Sequence, residues 1–425
     1  MQPSAGRRVL NRALGLLPAP FRVRALETAH AFSHPTVGKG PALKELNGVR
    51  LEPWKFGARA AVCISADFEL AWASQYVSLE LCLDEGRRTR EFFPGLLDAF
   101  NRNHVPITWA VVGHLFLTEC RRDPATGLAH SELPHPRPYR NWRWGFKHGD
   151  WYQHDPRSSV EDDPEWYAPD LIARIASSDV QHEIGSHSFS HTDFSDANCP
   201  AEVARAELRR CQEEAARIRR DLKSFVFPGN FEGNFPALFE SGFVAFRGTG
   251  TPDLSYPEKR DGLWNIRESL QLFDPEVDYR RRLPLYVNAA VRTQTACHLS
   301  FHPSEPSPST VAEVLRPALG YLKSRENNGE AWMATMGEVA SYCEARASTV
   351  VQPDADMHWG VKWGHDAQRY PRSAITFSVP WTGSTPSCEI DGQEVAAQSR
   401  SCFVRSDRLY LSVEYPKESV RVRRS

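Results

Sequence analysis

Three absences narrow the field first. No stretch of the 425 residues approaches eighteen consecutive apolar positions, so the sequence predicts no membrane-crossing helix. Lysine and arginine number 51 against 53 aspartates and glutamates, a formal net charge of −2. Dedicated polyanion binders carry a marked basic excess, so no nucleic-acid partner is expected. Nine cysteines occur without a CxxC, which points away from a disulfide framework and from a thiolate zinc site. Their odd count and loose spacing favour a reducing compartment. No internal repeat and no long low-complexity tract is evident. What is present, 41% hydrophobic residues, is enough for a buried core and excludes global disorder. The length permits two or three domains, or one large barrel with attachments.

A secretory leader also fails to materialise. Arg7 and Arg8 precede Val9, Leu10, Leu14, Leu16 and Leu17, but Asn11 and Arg12 interrupt the run and Pro18 and Pro20 end it. Residues 7–17 are instead expected to form a short basic amphipathic helix, packed on the main domain or in weak contact with a membrane surface. A cytoplasmic location is the resulting expectation. An N-terminal arm over 1–54, punctuated by Gly38, Gly40 and Pro41, leads into the first core strand.

From residue 60 short apolar runs alternate with helical patterns. Ala60–Ala66 is apolar except for Ser65, as a strand buried on both faces should be. Ile107–Val112, Val180–Ile184, Phe225–Phe227, Phe243–Phe246, His298–Phe301 and Ala331–Thr335 are further strand candidates. The clearest helix is 200–222, with Pro200 in its first turn and Val203, Leu208, Cys211, Ala215, Ile218 and Leu222 on one face. Residues 87–102 and 311–325 are two more. Six or seven strands alternating with helices predict an α/β fold, a (β/α) barrel over 55–345. Residues 118–170 break the rhythm and carry eight aromatics between Tyr139 and Tyr167. They form either a mini-core or an aromatic platform over a site; Trp142, Trp144, Trp151 and Tyr152 are the candidate substrate-stacking residues. Residues 350–425, with strand-like runs at Ala374–Val379, Cys402–Val404, Leu409–Val413 and Val420–Val422, predict a small β-rich C-terminal module.

Four polar clusters stand directly after apolar runs: Asp67-Phe68-Glu69, His187-Ser188-Phe189-Ser190-His191, Pro228-Gly229-Asn230 and His302-Pro303. In a parallel barrel the C-terminal ends of the strands converge on one face, so these residues should meet. Asp67 and Glu69, two apart, project to the same side of an extended segment. His187 and His191, four apart, share a side if the segment turns helically, a common geometry for one divalent metal. A cap-and-surface role for the acids or a core role for one histidine is the bland alternative, and His302 alone would read as structural. Together they supply metal ligands, a free carboxylate to take a proton and a histidine to give one. That is the inventory for metal-assisted acyl hydrolysis.

These residues resemble the polysaccharide deacetylase family, the NodB-like carbohydrate esterases. The stretch Ile64-Ser65-Ala66-Asp67-Phe68-Glu69 is similar to its first motif, with the usual adjacent acids spaced apart. His187-Ser188-Phe189-Ser190-His191 matches its second motif, and Leu299-Ser300-Phe301-His302-Pro303 resembles its last. The resemblance implies a distorted (β/α) barrel and a divalent metal, most often Zn2+. It implies Asp67 as catalytic base, Glu69, His187 and His191 as metal ligands, and His302 as general acid, with the two acids able to exchange roles. Pro228 and Asn230 fall to the substrate side. The arginine that usually orients the base is missing before Pro228, where Phe225-Val226-Phe227 stands, and Asp261 is the candidate for the aspartate that tunes the acid histidine. The implied reaction is removal of an N-acetyl group from an acetamido sugar of a glycan or glycan precursor. Two alternatives remain: hydrolysis of a formamide or cyclic ureide on the same barrel, and a non-catalytic glycan-binding pseudoenzyme.

Overall fold

The computed structural model describes residues 34–73, 78–135, 150–273, 278–354, 357–382 and 385–424. Ten strands build the central sheet: β1 (Ala60–Phe68), β2 (Thr108–Val111), β3 (Glu183–Ser186), β4 (Ser224–Val226), β5 (Ala245–Arg247), β6 (Glu258–Arg260), β7 (Leu263–Asn265), β8 (Leu270–Gln271), β9 (Ala296–Phe301) and β10 (Ala331–Met333). Their order is β8-β9-β1-β2-β3-β4-β5-β7-β6, with β10 also on β1. Every pairing is parallel except the β6–β7 hairpin. The single segment 263–272 spans the gap between β5 and β9. The N–H groups of Ile266 and Glu268 donate to Phe246 and Gly248, and those of Ser269 and Leu272 donate to His298 and Ser300. The curled sheet is thereby drawn together at its two ends. Sequence periodicity missed β6, β7 and β8, because strands of two or three residues are too short to show a period.

β1 is buried over all nine residues, which is why it reads as a nearly unbroken apolar run. Its alternate residues have different company. Val62, Ile64, Ala66 and Phe68 join the large core with the helix layer, where Phe93 and Phe100 of α1 (Leu79–Arg102) pack. Ala61 and Cys63 join the inner core with Ala110, Val226, Trp264 and Met336. The inner row continues through Ser65 to Asp67, so the period of two carries polar groups up to the strand's C-terminal end.

The helices follow local signals. Ser78 caps α1 by accepting from Leu81 N, and Thr335 with Glu338 forms a capping box on α7 (Met336–Ser348). Between them run α2 (Pro169–Ala176), α3 (Ala201–Arg217), α4 (Phe235–Glu240), α5 (Tyr279–Thr293) and α6 (Arg316–Asn327). The helix expected over 200–222 stops at Arg217; Ile218 is its C-cap, and Arg219 turns left-handed at φ 57°.

The β-rich C-terminal region consists of two five-stranded antiparallel sheets around their own core. Part of the expected N-terminal arm belongs to it: Val49–Leu51 pairs with Ala374–Pro380. Contrary to the reading of the cysteines, one bridge is present, Cys388–Cys402, joining the two sheets. Among the described residues no helix is long and apolar enough to cross a membrane. The amphipathic helix expected over 7–17, and Trp142 and Trp144, lie outside the described residues.

Candidate functional site

The strand ends do converge. Asp67 is buried at the end of β1, and the guanidinium of Arg247, last residue of β5, grips it with two parallel hydrogen bonds, Nη1 to Oδ1 at 2.5 Å and Nη2 to Oδ2 at 2.6 Å. Burial raises the Asp67 pKa, but Arg247 outweighs it and the carboxyl is held below its ordinary value. Nη1 also donates to Ser65 Oγ at 3.1 Å, Ser65 lies 2.9 Å from His298 Nε2, and His298 Nδ1 lies 3.1 Å from the Ile266 carbonyl. With Nδ1–H donating to that carbonyl, the Ser65 hydroxyl donates to Nε2 and His298 is neutral. Burial and the facing Arg247 charge push its pKa down to about 3.

Glu69 stands one residue past β1. Its Oε1 is 2.7 Å from His187 Nε2 and 3.2 Å from His191 Nε2. Burial would raise its pKa, but the two histidines hold it well below the usual carboxylate range. His187 Nδ1 lies 2.8 Å from the Val226 carbonyl, which orients the ring so that Nε2 faces Glu69. With Nδ1 turned to Val226, Nε2 and the Glu69 oxygen converge as two ligand atoms for one cation. With His191 the three ligand atoms lie within 4.8 Å of one another and fit a divalent metal.

The HxxxH segment is not the helical turn that its spacing suggested. It is a loop in which Ser188 and His191 take left-handed φ of 60° and 57°, yet the two rings lie 5.0 Å apart. Neighbours hold it there. Glu207 of α3 accepts from the N–H groups of Phe189 and Ser190, each at 2.8 Å, and from the Ser190 hydroxyl at 2.8 Å. From the other side, the N–H groups of Gly113 and His114 donate to the carbonyls of Ser188 and Phe189 at 2.8 and 2.9 Å. A Cβ at Gly113 would lie 2.7 Å from Cys211 Sγ and 3.0 Å from Phe189 Cα, so only glycine lets the two loops meet.

His302 closes the group. Its side chain is 38% exposed, and its Nε2 is 3.8 Å from Asp67 Oδ2. Glu305 accepts from its backbone N–H at 2.8 Å and lies 3.1 Å from Nδ1. Burial lowers the His302 pKa, but Glu305, Glu69 and Asp67 together raise it to about 10. Asp67, Glu69, His191, Arg247, His302 and Glu305 line one polar cleft of about 330 Å3, whose walls include Arg88, Gly229, Asn230 and Glu268, while His187 is fully buried beside Glu69. Asn230 is exposed to it, while Pro228 is buried.

Several expectations need correcting. Trp151 and Tyr152 are 2% and 0% exposed, so neither offers a ring face to a ligand. Trp151 donates to Ser190 and Tyr152 to Glu207, which makes them part of the packing behind the HxxxH loop. Asp261 sits at the β6–β7 hairpin tip, 57% exposed and paired with Arg260. The partner of His302 is Glu305 instead. Arg247 and Glu207 were also missed. Arg247 was legible by the rule that found the others, a charged residue ending the apolar run Phe243–Phe246.

Comparison with known proteins agrees with the motifs. Residues 76–231 match the family model of polysaccharide deacetylases. The family resemblance is shown. The match includes His187, His191, Pro228 and Asn230, and it ends before Arg247 and His302. Among solved structures, a polysaccharide deacetylase from Mycobacterium smegmatis is similar at 18% identity and a TM-score of 0.46, over 76% of this chain and 100% of that one. A polysaccharide deacetylase from Pseudomonas aeruginosa aligns at 13% identity and 0.43, over 68% and 92%. A Bacillus anthracis protein described as a CE4 family pseudoenzyme aligns at 13% and 0.34, over 72% and 70%. No curated protein matches the chain. The curled parallel barrel is the fold that the deacetylase resemblance implied, and the appended β-rich sheets answer to the strand-like runs of residues 350–425.

Proposed function

We propose that this protein is a metal-dependent deacetylase that hydrolyses the N-acetyl group of an acetamido sugar. The observation that carries the reading is the meeting, at one cleft, of an arginine-held Asp67, the Glu69–His187–His191 donor set and a Glu305-held His302. The sugar comes from the family match over residues 76–231. Glu69, His187 and His191 would hold the metal, Zn2+ because two imidazoles and one carboxylate with an open position are a catalytic zinc donor set. When bound, it supplies Lewis acidity to a water and to the acyl oxygen. Asp67 has both oxygens engaged by Arg247, which leaves Glu69 as the ligand and Asp67 as the base. Asp67 takes the proton of the attacking water. His302, protonated at neutral pH and aimed at Asp67 across the cleft, gives its Nε2 proton to the leaving amine. Acetate and a free amino sugar result.

The test combines metal analysis with a substrate panel. His187→Ala should lose the ion of this site, and the wild type should act on N-acetylated sugar oligomers in preference to formamides and cyclic ureides. Arg247→Met should lower kcat by about 10²–10³-fold with KM within a few fold. Full activity after chelation, turnover confined to the non-sugar amides, or unchanged kcat in the arginine variant would each defeat the reading.

A further inference from the structure

A second group of ligand-type side chains lies behind the HxxxH loop, in the 118–170 insertion and the loop leading to it. His114, Cys120, His130 and Asp155 are all buried, and one ligand atom from each lies within 4.8 Å of the others. Asp155 Oδ2 is 3.2 Å from His130 Nε2, 3.2 Å from Cys120 Sγ and 3.5 Å from His114 Nε2. Bond lengths of about 2.0–2.3 Å in a tetrahedral zinc site put ligand atoms roughly 3.4–3.7 Å apart. The three contacts to Asp155, at 3.2–3.5 Å, lie close to that spacing, and every pair is within 4.8 Å.

We propose that these four residues form a structural metal site of the zinc type, separate from the catalytic cleft. Three observations support it. His114 Nε2 is fully buried without a hydrogen-bond partner, while its Nδ1 lies 3.3 Å from the Trp166 carbonyl. A buried ring nitrogen left open in this way is the state a metal completes. His130 also turns Nε2 to the cluster, 3.2 Å from Asp155 Oδ2, with Nδ1 3.7 Å from the Glu132 carboxylate. Access exists: a surface cleft of about 500 Å3 is lined by Cys120, His130 and Glu132.

One thiolate, two imidazoles and one carboxylate make a closed four-ligand set, which is the structural rather than the catalytic pattern. Its place explains what it would do. Among its described residues the insertion has only isolated bridges before α2 begins at Pro169. An ion there would tie residues 114, 120, 130 and 155 into one body. His114 hydrogen-bonds Phe189 through its backbone, so that body braces the loop between His187 and His191. The absence of a CxxC excludes a thiolate pair at that spacing, but not a site gathered from four distant positions.

The experiment uses the full chain in the His187→Ala background, so that the result does not depend on the catalytic metal. Zinc X-ray absorption should show one sulfur scatterer at about 2.3 Å. Cobalt substitution should give a thiolate charge-transfer band in the near ultraviolet, and Cys120→Ser should abolish it together with one equivalent of bound metal. His130→Gln should lower affinity for the ion by at least about tenfold. A folded protein without a sulfur scatterer, or a cobalt band that survives Cys120→Ser, would overturn the proposal. The catalytic reading would stand in either case.

Discussion

Ser65 and His298 sit one layer beneath the reacting groups, and their hydrogen bonds have a definite direction. Arg247 donates to Ser65, which obliges the Ser65 proton to point at His298 Nε2. A protonated His298 would break that chain and set a second positive charge against Arg247. This is why its pKa falls from 6.5 to about 3. Between those values the unfolded chain binds a proton that the folded chain refuses. The stability from neutral His298 is therefore complete above pH 6.5 and is lost as pH falls toward 3. The whole shift corresponds to on the order of 4–5 kcal/mol. In His298→Gln, which cannot titrate, the fall in unfolding free energy between pH 6.5 and 3 should be shallower by up to one proton. Denaturant titrations at a series of pH values would measure it, and equal slopes would refute the assignment. The sequence set His298 inside a strand and His302 just past its end, but gave no sign of what the buried His298 contacts; the facing strands supply that.

At the scale of elements, the acid pair, the HxxxH and His302 were legible because each follows an apolar run, and strand ends in a parallel barrel share a face. What holds them was not legible. Glu207 lies in the middle of α3 among other Glu and Arg residues, and no local pattern separates a helix carboxylate that accepts two loop N–H groups from one that faces water. Aromatic density in the insertion left a mini-core and a ligand platform both open, and the buried rings of Trp151 and Tyr152 fall on the mini-core side, behind the loop. Because Ser188 and His191 occupy left-handed conformations, the loop needs external acceptors to keep its shape. Glu207→Ala leaves two buried N–H groups without partners and should cost about 2–4 kcal/mol in chemical denaturation. It should also weaken metal binding at Glu69, His187 and His191 by roughly 10–100-fold, since it displaces the ligands without touching them. Unchanged metal affinity would mean that the loop is held from the Gly113 side alone.

The whole molecule is joined along the last barrel helix. The sequence reading placed the N-terminal arm and the β-rich tail outside the barrel, at opposite ends of the chain. No sequence periodicity could reveal that Val49–Leu51 pairs with a strand more than three hundred residues later. One link between them and the barrel is α7, beside Arg400, which pairs with Glu326 of α6, and Arg369, which donates to the Phe239 carbonyl. Arg346 of α7 is buried and donates to the carbonyls of Glu52 at 2.9 Å and Ala42 at 2.7 Å. Tyr342 donates to the Glu52 carbonyl at 2.9 Å and accepts from Thr376 N at 3.2 Å. One helix thus satisfies backbone groups of both the arm and the tail, while Ala345 contributes to the core between the two sheets. Cutting the chain after residue 349 would leave Arg346 its carbonyls in the arm but remove Thr376, the donor to Tyr342, and strip Ala345 of the sheet core that it joins. The barrel and the β-rich region should accordingly unfold in one transition. Arg346→Ala, which strands carbonyls of Glu52 and Ala42 in the seam, should lower the unfolding free energy by on the order of 3 kcal/mol. The transition should stay single when followed by both tryptophan fluorescence and far-ultraviolet circular dichroism. Two separated transitions in the wild type would mean that the seam carries no cooperativity and that the barrel stands without its tail.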